Sequence, residues 1–156
     1  MTIISRNNNN RNKKTNELMF RFNELTERNN LSFTHKEMIG NYIIGLDELR
    51  KKLFVLSKPD NMYSLQIIDL NEIKNCSSNK LYMSINMEVA KNPAHEVLPD
   101  KIVLEINYLN NRKPTQFPFY VSGLNQLREM RELEQKAKGW EVILTKTINN
   151  RIKVAA

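Results

Sequence analysis

The sequence predicts an α+β fold: a curved antiparallel sheet, a long C-terminal helix and a short N-terminal helix. Three observations carry this expectation. Apolar residues recur at helical spacing near both ends of the chain. The middle consists of short apolar or alternating runs separated by turn residues. No helical pattern falls between those runs, which argues against a parallel sheet with crossover helices. At 156 residues the chain suits one domain, and its 40% hydrophobic content suffices for one core.

Residues 1–14 hold Arg6, Arg11, Lys13 and Lys14 and no acid, so more than half of the formal charge of +7 lies there. After Ile3 and Ile4 this segment has no apolar face, and Asn7 to Asn10 form a polar run. It is expected to be a disordered basic tail. A helix is expected over 15–30. Thr15 or Asn16 can cap it, with Glu17 in the first turn. Leu18, Phe22 and Leu25 then follow at i, i+4 and i+7, and Asn29 and Asn30 provide a stop.

A sheet domain is expected over 31–150. Residues 38–44 read as its first strand. Asp47, Glu48, Leu49, Arg50 and Lys51 form a polar turn. Leu53, Phe54, Val55 and Leu56 form a short strand, closed by the turn residues Lys58, Pro59, Asp60 and Asn61. With the alternating run 63–68 this makes a hairpin. A helical turn at 69–73, a weak strand over 76–83 and a long loop over 86–100 follow. Ile102, Leu104, Ile106 and Tyr108 share one face of a strand. A turn at 110–114 leads to Phe117, Phe119 and Val121, and Pro118 marks an edge strand or a bulge. Gly45 and Gly123 read as backbone bends. The last helix carries Leu124, Leu127, Met130, Leu133, Ala137, Trp140, Leu144 and Ile148 at steps of three and four. Gly139 is expected to soften it and Asn149 and Asn150 to end it, leaving 151–156 as a tail. Trp140 lies on the apolar stripe and reads as core.

The order of these elements resembles the pleckstrin-homology-like superfold, in which hairpins form a partly open β-barrel capped by a C-terminal helix. The run Leu53 to Leu56, then Ile67, Ile68, Asp69, Leu70, Asn71, Glu72, Ile73 and Lys74, then Phe117, Pro118, Phe119 and Tyr120, and a helix with Trp140, are similar to bacterial members. From Phe22 onward the chain is also similar to small uncharacterised bacterial proteins. The resemblance implies a binding or scaffolding module. Phosphoinositide-binding members place basic residues on the first two strands and their loop. Here Arg50, Lys51 and Lys52 match that loop. Asp47 and Glu48 beside them, and a first strand with no Lys or Arg, depart from the pattern.

Chemistry-bearing residues are sparse. His35 and His95 are far apart and Cys76 is the single cysteine, so neither zinc spacing nor a disulfide framework is present. The four glycines are scattered, which excludes a phosphate-cradling loop. Glu129, Glu132 and Glu134 interleave with Arg128, Arg131 and Lys136, the pattern of a salt-bridged solvent face. Asp69 and Glu72 beside a strand end read as turn caps. No catalytic, cofactor or metal residue is assigned, and the protein is expected not to be an enzyme. Phe117, Phe119 and Tyr120 are the residues that could stack on bases.

The functional expectation is therefore a non-catalytic protein-interaction or membrane-peripheral scaffold module, with an unidentified protein as main partner. A homo-oligomer is compatible with it. The alternative is a nucleic-acid binder using the basic tail. Weak contact with anionic lipid or nucleic acid would fall on Arg6, Arg11, Lys13 and Lys14, or on Arg50, Lys51 and Lys52. A solvated tail and a solvated turn are the commoner accounts of such charges. With one cysteine, no export signal and no apolar span, the expected location is the cytoplasm.

Overall fold

The computed structural model describes residues 2–82 and 98–155. Most of the loop expected over 86–100, with His95, lies outside these residues. The order is α1 (Thr2–Arg28), β1 (His35–Ile39), β2 (Tyr42–Asp47), β3 (Lys52–Ser57), β4 (Ser64–Asp69), β5 (Ile73–Leu81), β6 (Lys101–Tyr108), β7 (Thr115–Val121) and α2 (Met130–Ala155). The strands form two antiparallel sheets, ordered β1-β2-β3-β4 and β5-β6-β7. Among the described residues neither sheet closes into a barrel by strand pairing. Within the span the sequence assigns to one domain, the backbone falls into two compact units, 1–70 and 71–156.

In the first unit α1 packs chiefly against β2 and β3. Leu18 and Phe22 meet Ile43, Phe54 and Leu56, with Met19, Leu25, Leu31, Phe33 and Met38 around them. Phe33 stacks on Phe22 at 4.9 Å and meets Phe54 edge-on at 5.3 Å. Gly45 sits under this cluster, where a Cβ would lie 2.7 Å from the Phe22 ring. Its role is close helix approach within a strand, not the bend expected from sequence. Asn30 ends the region of α1 with φ of +51°, as its left-handed tolerance suggests.

Two expectations in this unit are corrected. Residues 2–14 continue α1 where a disordered tail is expected. The stripe at 18–25 docks and supplies the helical nucleus, and no Gly or Pro interrupts propagation toward Thr2. Residues 38–44 are not one strand: they turn at Gly40 and Asn41, with Ile39 opposite Tyr42 and Gly40 at φ +57°. Gly at the first of two loop residues is a hairpin signal that a propensity reading of 38–44 overlooks.

In the second unit α2 lies against all three strands. Among its residues up to Asn150, Ala137, Trp140, Leu144, Thr147 and Ile148 are buried. The sheet buries Ile73 and Cys76 from β5, Ile102, Leu104, Ile106 and Tyr108 from β6, and Phe117, Phe119 and Tyr120 from β7. Trp140 is thus core, with β5, β6 and β7 as the surface its helix meets. β7 is an edge strand, and its register with β6 skips one residue, pairing Ile102 with Tyr120 but Val103 with Pro118. The extra residue, Phe119, breaks the alternation.

The helix boundaries also differ from expectation. Leu124 and Leu127 are exposed, and α2 starts only at Met130. A reciprocal cap decides this: the Gln126 backbone N–H donates to Glu129 Oε2 at 2.8 Å ahead of a single 3-10 turn. Gly123, at φ +91°, turns the chain just before, as expected. The helix runs unbroken through Gly139, and past Asn149 and Asn150 to Ala155, so 151–155 extend it where a tail is expected.

Candidate interaction surface

Several of the polar side chains singled out in the sequence are engaged in structural pairs. Asp47 is fully buried at the end of β2. Its Oδ1 accepts the Arg50 N–H at 3.0 Å. Its Oδ2 accepts the Ser32 N–H at 3.2 Å and Arg50 Nη1 at 3.0 Å. Burial alone would raise the pKa of this carboxyl. The two backbone donors and the Arg50 guanidinium outweigh it and hold the pKa below the ordinary value. Lys52 pairs with Asp69 at 3.4 Å. Lys51 sits in the turn at φ +55°. Of the loop trio expected to meet an anion, Arg50 and Lys52 therefore already have carboxylate partners. In α1, Lys13 is exposed, and Arg6, Arg11 and Lys14 belong to the same helix.

The residues considered for catalysis or metal binding are dispersed. His35 Nε2 faces Glu48 at 3.5 Å on the surface. Cys76 is buried, with its Sγ 3.7 Å from the Glu141 carbonyl and from Thr145 Oγ1. Burial raises the pKa of this thiol, which disfavours a thiolate nucleophile. Glu134 bridges Lys80 and Lys138, each at 3.2 Å, and Glu132 pairs with Lys136 at 3.8 Å. Burial would raise the Glu134 pKa, but the two lysines lower it overall. Glu129 is spent on the helix cap, and Glu72 pairs with Arg112 at 3.3 Å. Among the described residues no three His, Cys, Asp or Glu side chains come together to hold a metal ion. Phe117, Phe119 and Tyr120 are each at most 5% exposed, so they form no platform for bases. The bulge at Phe119 is what buries Phe119 and Tyr120 together.

The feature that remains is an edge. β4 ends the four-stranded sheet, and Ser64, Leu65, Gln66 and Ile67 are all exposed. Ile67 is 55% exposed, Leu65 38%, and the preceding Met62 and Tyr63 are 74% and 41%. Leu65 lies opposite Leu56, and Ile67 opposite Phe54, so both share the face that α1 covers on β3. The Tyr63 ring carries two cations, Lys58 at 4.8 Å and Arg21 at 5.6 Å. Sequence reasoning finds β4 as a strand but not this property. Only the strand order shows that no further strand pairs with it among the described residues.

No helix among the described residues is long and apolar enough to cross a membrane. Comparison with protein-family models, curated proteins and solved structures finds no match to this chain.

Proposed function

We propose that the protein is a cytoplasmic, non-catalytic interaction module of pleckstrin-homology-like build that takes a protein partner along the edge of β4. The observation that carries the reading is the exposed, uncharged strand segment 64–67 with Leu65 and Ile67 on one face. An unpaired strand edge offers main-chain hydrogen bonds, and its alternate side chains offer specificity. The four-then-three antiparallel meander followed by a helix supports the superfold resemblance, which by itself leaves function open. A pull-down with wild type and Ile67→Lys tests the reading. A partner should be captured by wild type and by Val142→Lys, which alters an exposed residue of α2. It should be lost with Ile67→Lys at unchanged circular dichroism. Equal capture by all three would refute the β4 site.

The alternative, nucleic-acid binding, draws on α1. Arg6, Arg11, Lys13 and Lys14 fall in one helix, whose first acid is Glu17. It requires affinity for a labelled oligonucleotide that falls steeply with salt and weakens when these four are replaced by Gln.

A further inference from the structure

We infer that the first half of α1 binds double-stranded DNA, lying in the major groove with one face. This rests on the nucleic-acid reading of α1 and adds which nucleic acid it takes and how.

The two halves of α1 differ in chemistry. From Leu18 onward the helix buries Leu18 and Phe22 against β2 and β3. Lys13, Asn16 and Glu17, just ahead of that contact, are exposed. Residues 2–16 are all helical and come to about 22 Å at 1.5 Å per residue. The docked half therefore fixes the direction of the other.

Charge is segregated along the helix and around it. Residues 2–16 hold four cations and no acid. The acids of α1, Glu17, Glu24 and Glu27, all follow. Glu17 pairs with Lys58 at 3.7 Å, and Glu24 with Arg21 and Arg28 at 3.1 and 2.8 Å. The helical period sets Arg6, Asn10 and Lys13 in one i, i+4, i+7 row and Asn7, Arg11 and Lys14 in the adjacent row. Ser5, Asn8, Asn9, Asn12, Thr15 and Asn16 fall on the remaining arc and carry no charge. All four cations thus share one side of the helix, with an amide in each row.

That arrangement suits a polyanion met from one side, and composition selects duplex DNA. A helix lying in a lipid surface needs a broad apolar face, and residues 2–16 offer only Ile3 and Ile4. Binding of single strands draws on aromatic side chains that stack on bases, and this segment has none. Duplex RNA has a major groove too deep and narrow for a helix. The major groove of B-form DNA, about 12 Å wide, admits one. There Arg and Lys neutralise phosphates, and Arg and Asn are the side chains that pair with base edges.

Fluorescence anisotropy with a short labelled DNA duplex tests this on the full chain. Four phosphate contacts give log affinity a slope of about −3.6 against log salt, so affinity should fall about 100-fold between about 50 and 200 mM. Lys13→Gln alone should lower the slope by about 0.9. Asn9→Pro keeps every charge but breaks the helix on its uncharged arc. It should weaken duplex binding at least about tenfold and leave the melting temperature unchanged, because packing starts at Leu18. Asn12→Ala, on the same arc, should bind as wild type does. Equal binding by Asn9→Pro and wild type would overturn groove docking, since a flexible basic tail would then suffice. Single strands or duplex RNA bound as tightly as duplex DNA, and lost when the four cations become Gln, would overturn it too while the nucleic-acid reading stands. Capture by vesicles of phosphatidylglycerol and phosphatidylcholine in equal parts, without duplex binding, would replace DNA by a membrane. No binding to any nucleic acid at about 50 mM salt would bring down the inference and the reading together.

Discussion

The two units share one plan, a helix laid on an antiparallel meander, and differ in coverage. α2 lies against every strand of its three-stranded sheet, whereas α1 lies chiefly on β2 and β3 of four. In the second unit a helix side chain also reaches one sheet edge, through Glu141 to the Ser78 N–H. In the first unit the face beside α1 runs out to β4 with Leu65 and Ile67 uncovered. The comparison teaches where to look for binding. A helix wide enough for its sheet leaves a closed structure, and one too narrow leaves an apolar margin.

The largest expected effect comes from breaking the better-covered unit. Trp140 is 4% exposed on the helix that spans β5, β6 and β7. Trp140→Ala should cost about 3–5 kcal/mol, the lost transfer energy plus a cavity. Denaturant melts read this directly, and a loss under about 1 kcal/mol would show that α2 does not depend on its aromatic anchor.

Next is the tie between the exit of α1 and the end of β2. Asp47 joins the Ser32 N–H to the Arg50 turn. Asp47→Asn should cost about 1.5–3 kcal/mol, the range for hydrogen bonds to a charged group. The pH dependence has a definite sign. The native carboxyl has a lowered pKa, so the unfolded state binds its proton first as pH falls. The stabilisation is complete above the unfolded value, about 3.9, and is lost as pH falls through the lower native one. Acid melts of Asp47→Asn should lack that component. Parallel acid curves for the two proteins would remove Asp47 from the account.

Gly45 tests how closely α1 must approach. A Cβ there would lie 2.7 Å from Phe22 Cζ and 3.0 Å from Phe33. Gly45→Ala should cost about 1–3 kcal/mol by overpacking. A further Phe22→Leu change should return part of it if the clash is the cause, a non-additivity that a double-mutant cycle measures.

Much of this architecture was legible beforehand, and the failures have local causes. The Lys58 to Asn61 turn is readable because Asp60 and Asn61 both accept positive φ, at 50° and 63°. Pro118 announces an edge or a bulge, and it marks both. The split of β1 from β2 was hidden because Met38, Ile39, Tyr42 and Ile43 look continuous unless Gly40 and Asn41 are weighted as a turn. The helical state of 2–14 was hidden because composition reports burial capacity, whereas propagation from a docked segment needs none. The exposed margin was illegible in principle: Leu65 and Ile67 have the same alternating pattern as Leu104 and Ile106, which are fully buried. Strand order, set by long-range pairing, separates the two cases.

The smallest effect is expected where periodicity extends further than packing. Leu124 continues the apolar spacing of α2 toward its start, yet it is 83% exposed, and the helix begins six residues later at Met130. The capping pair Gln126 and Glu129 and the positive φ of Gly123 set that start without help from Leu124. Leu124→Ser should therefore change stability by no more than about 0.5 kcal/mol. Glu129→Ala removes the carboxylate that accepts the Gln126 N–H and should cost more, about 0.5–2 kcal/mol. If the serine variant proves the weaker of the two, the coverage of the second unit extends past its helix, and the contrast with the open margin at β4 becomes sharper still.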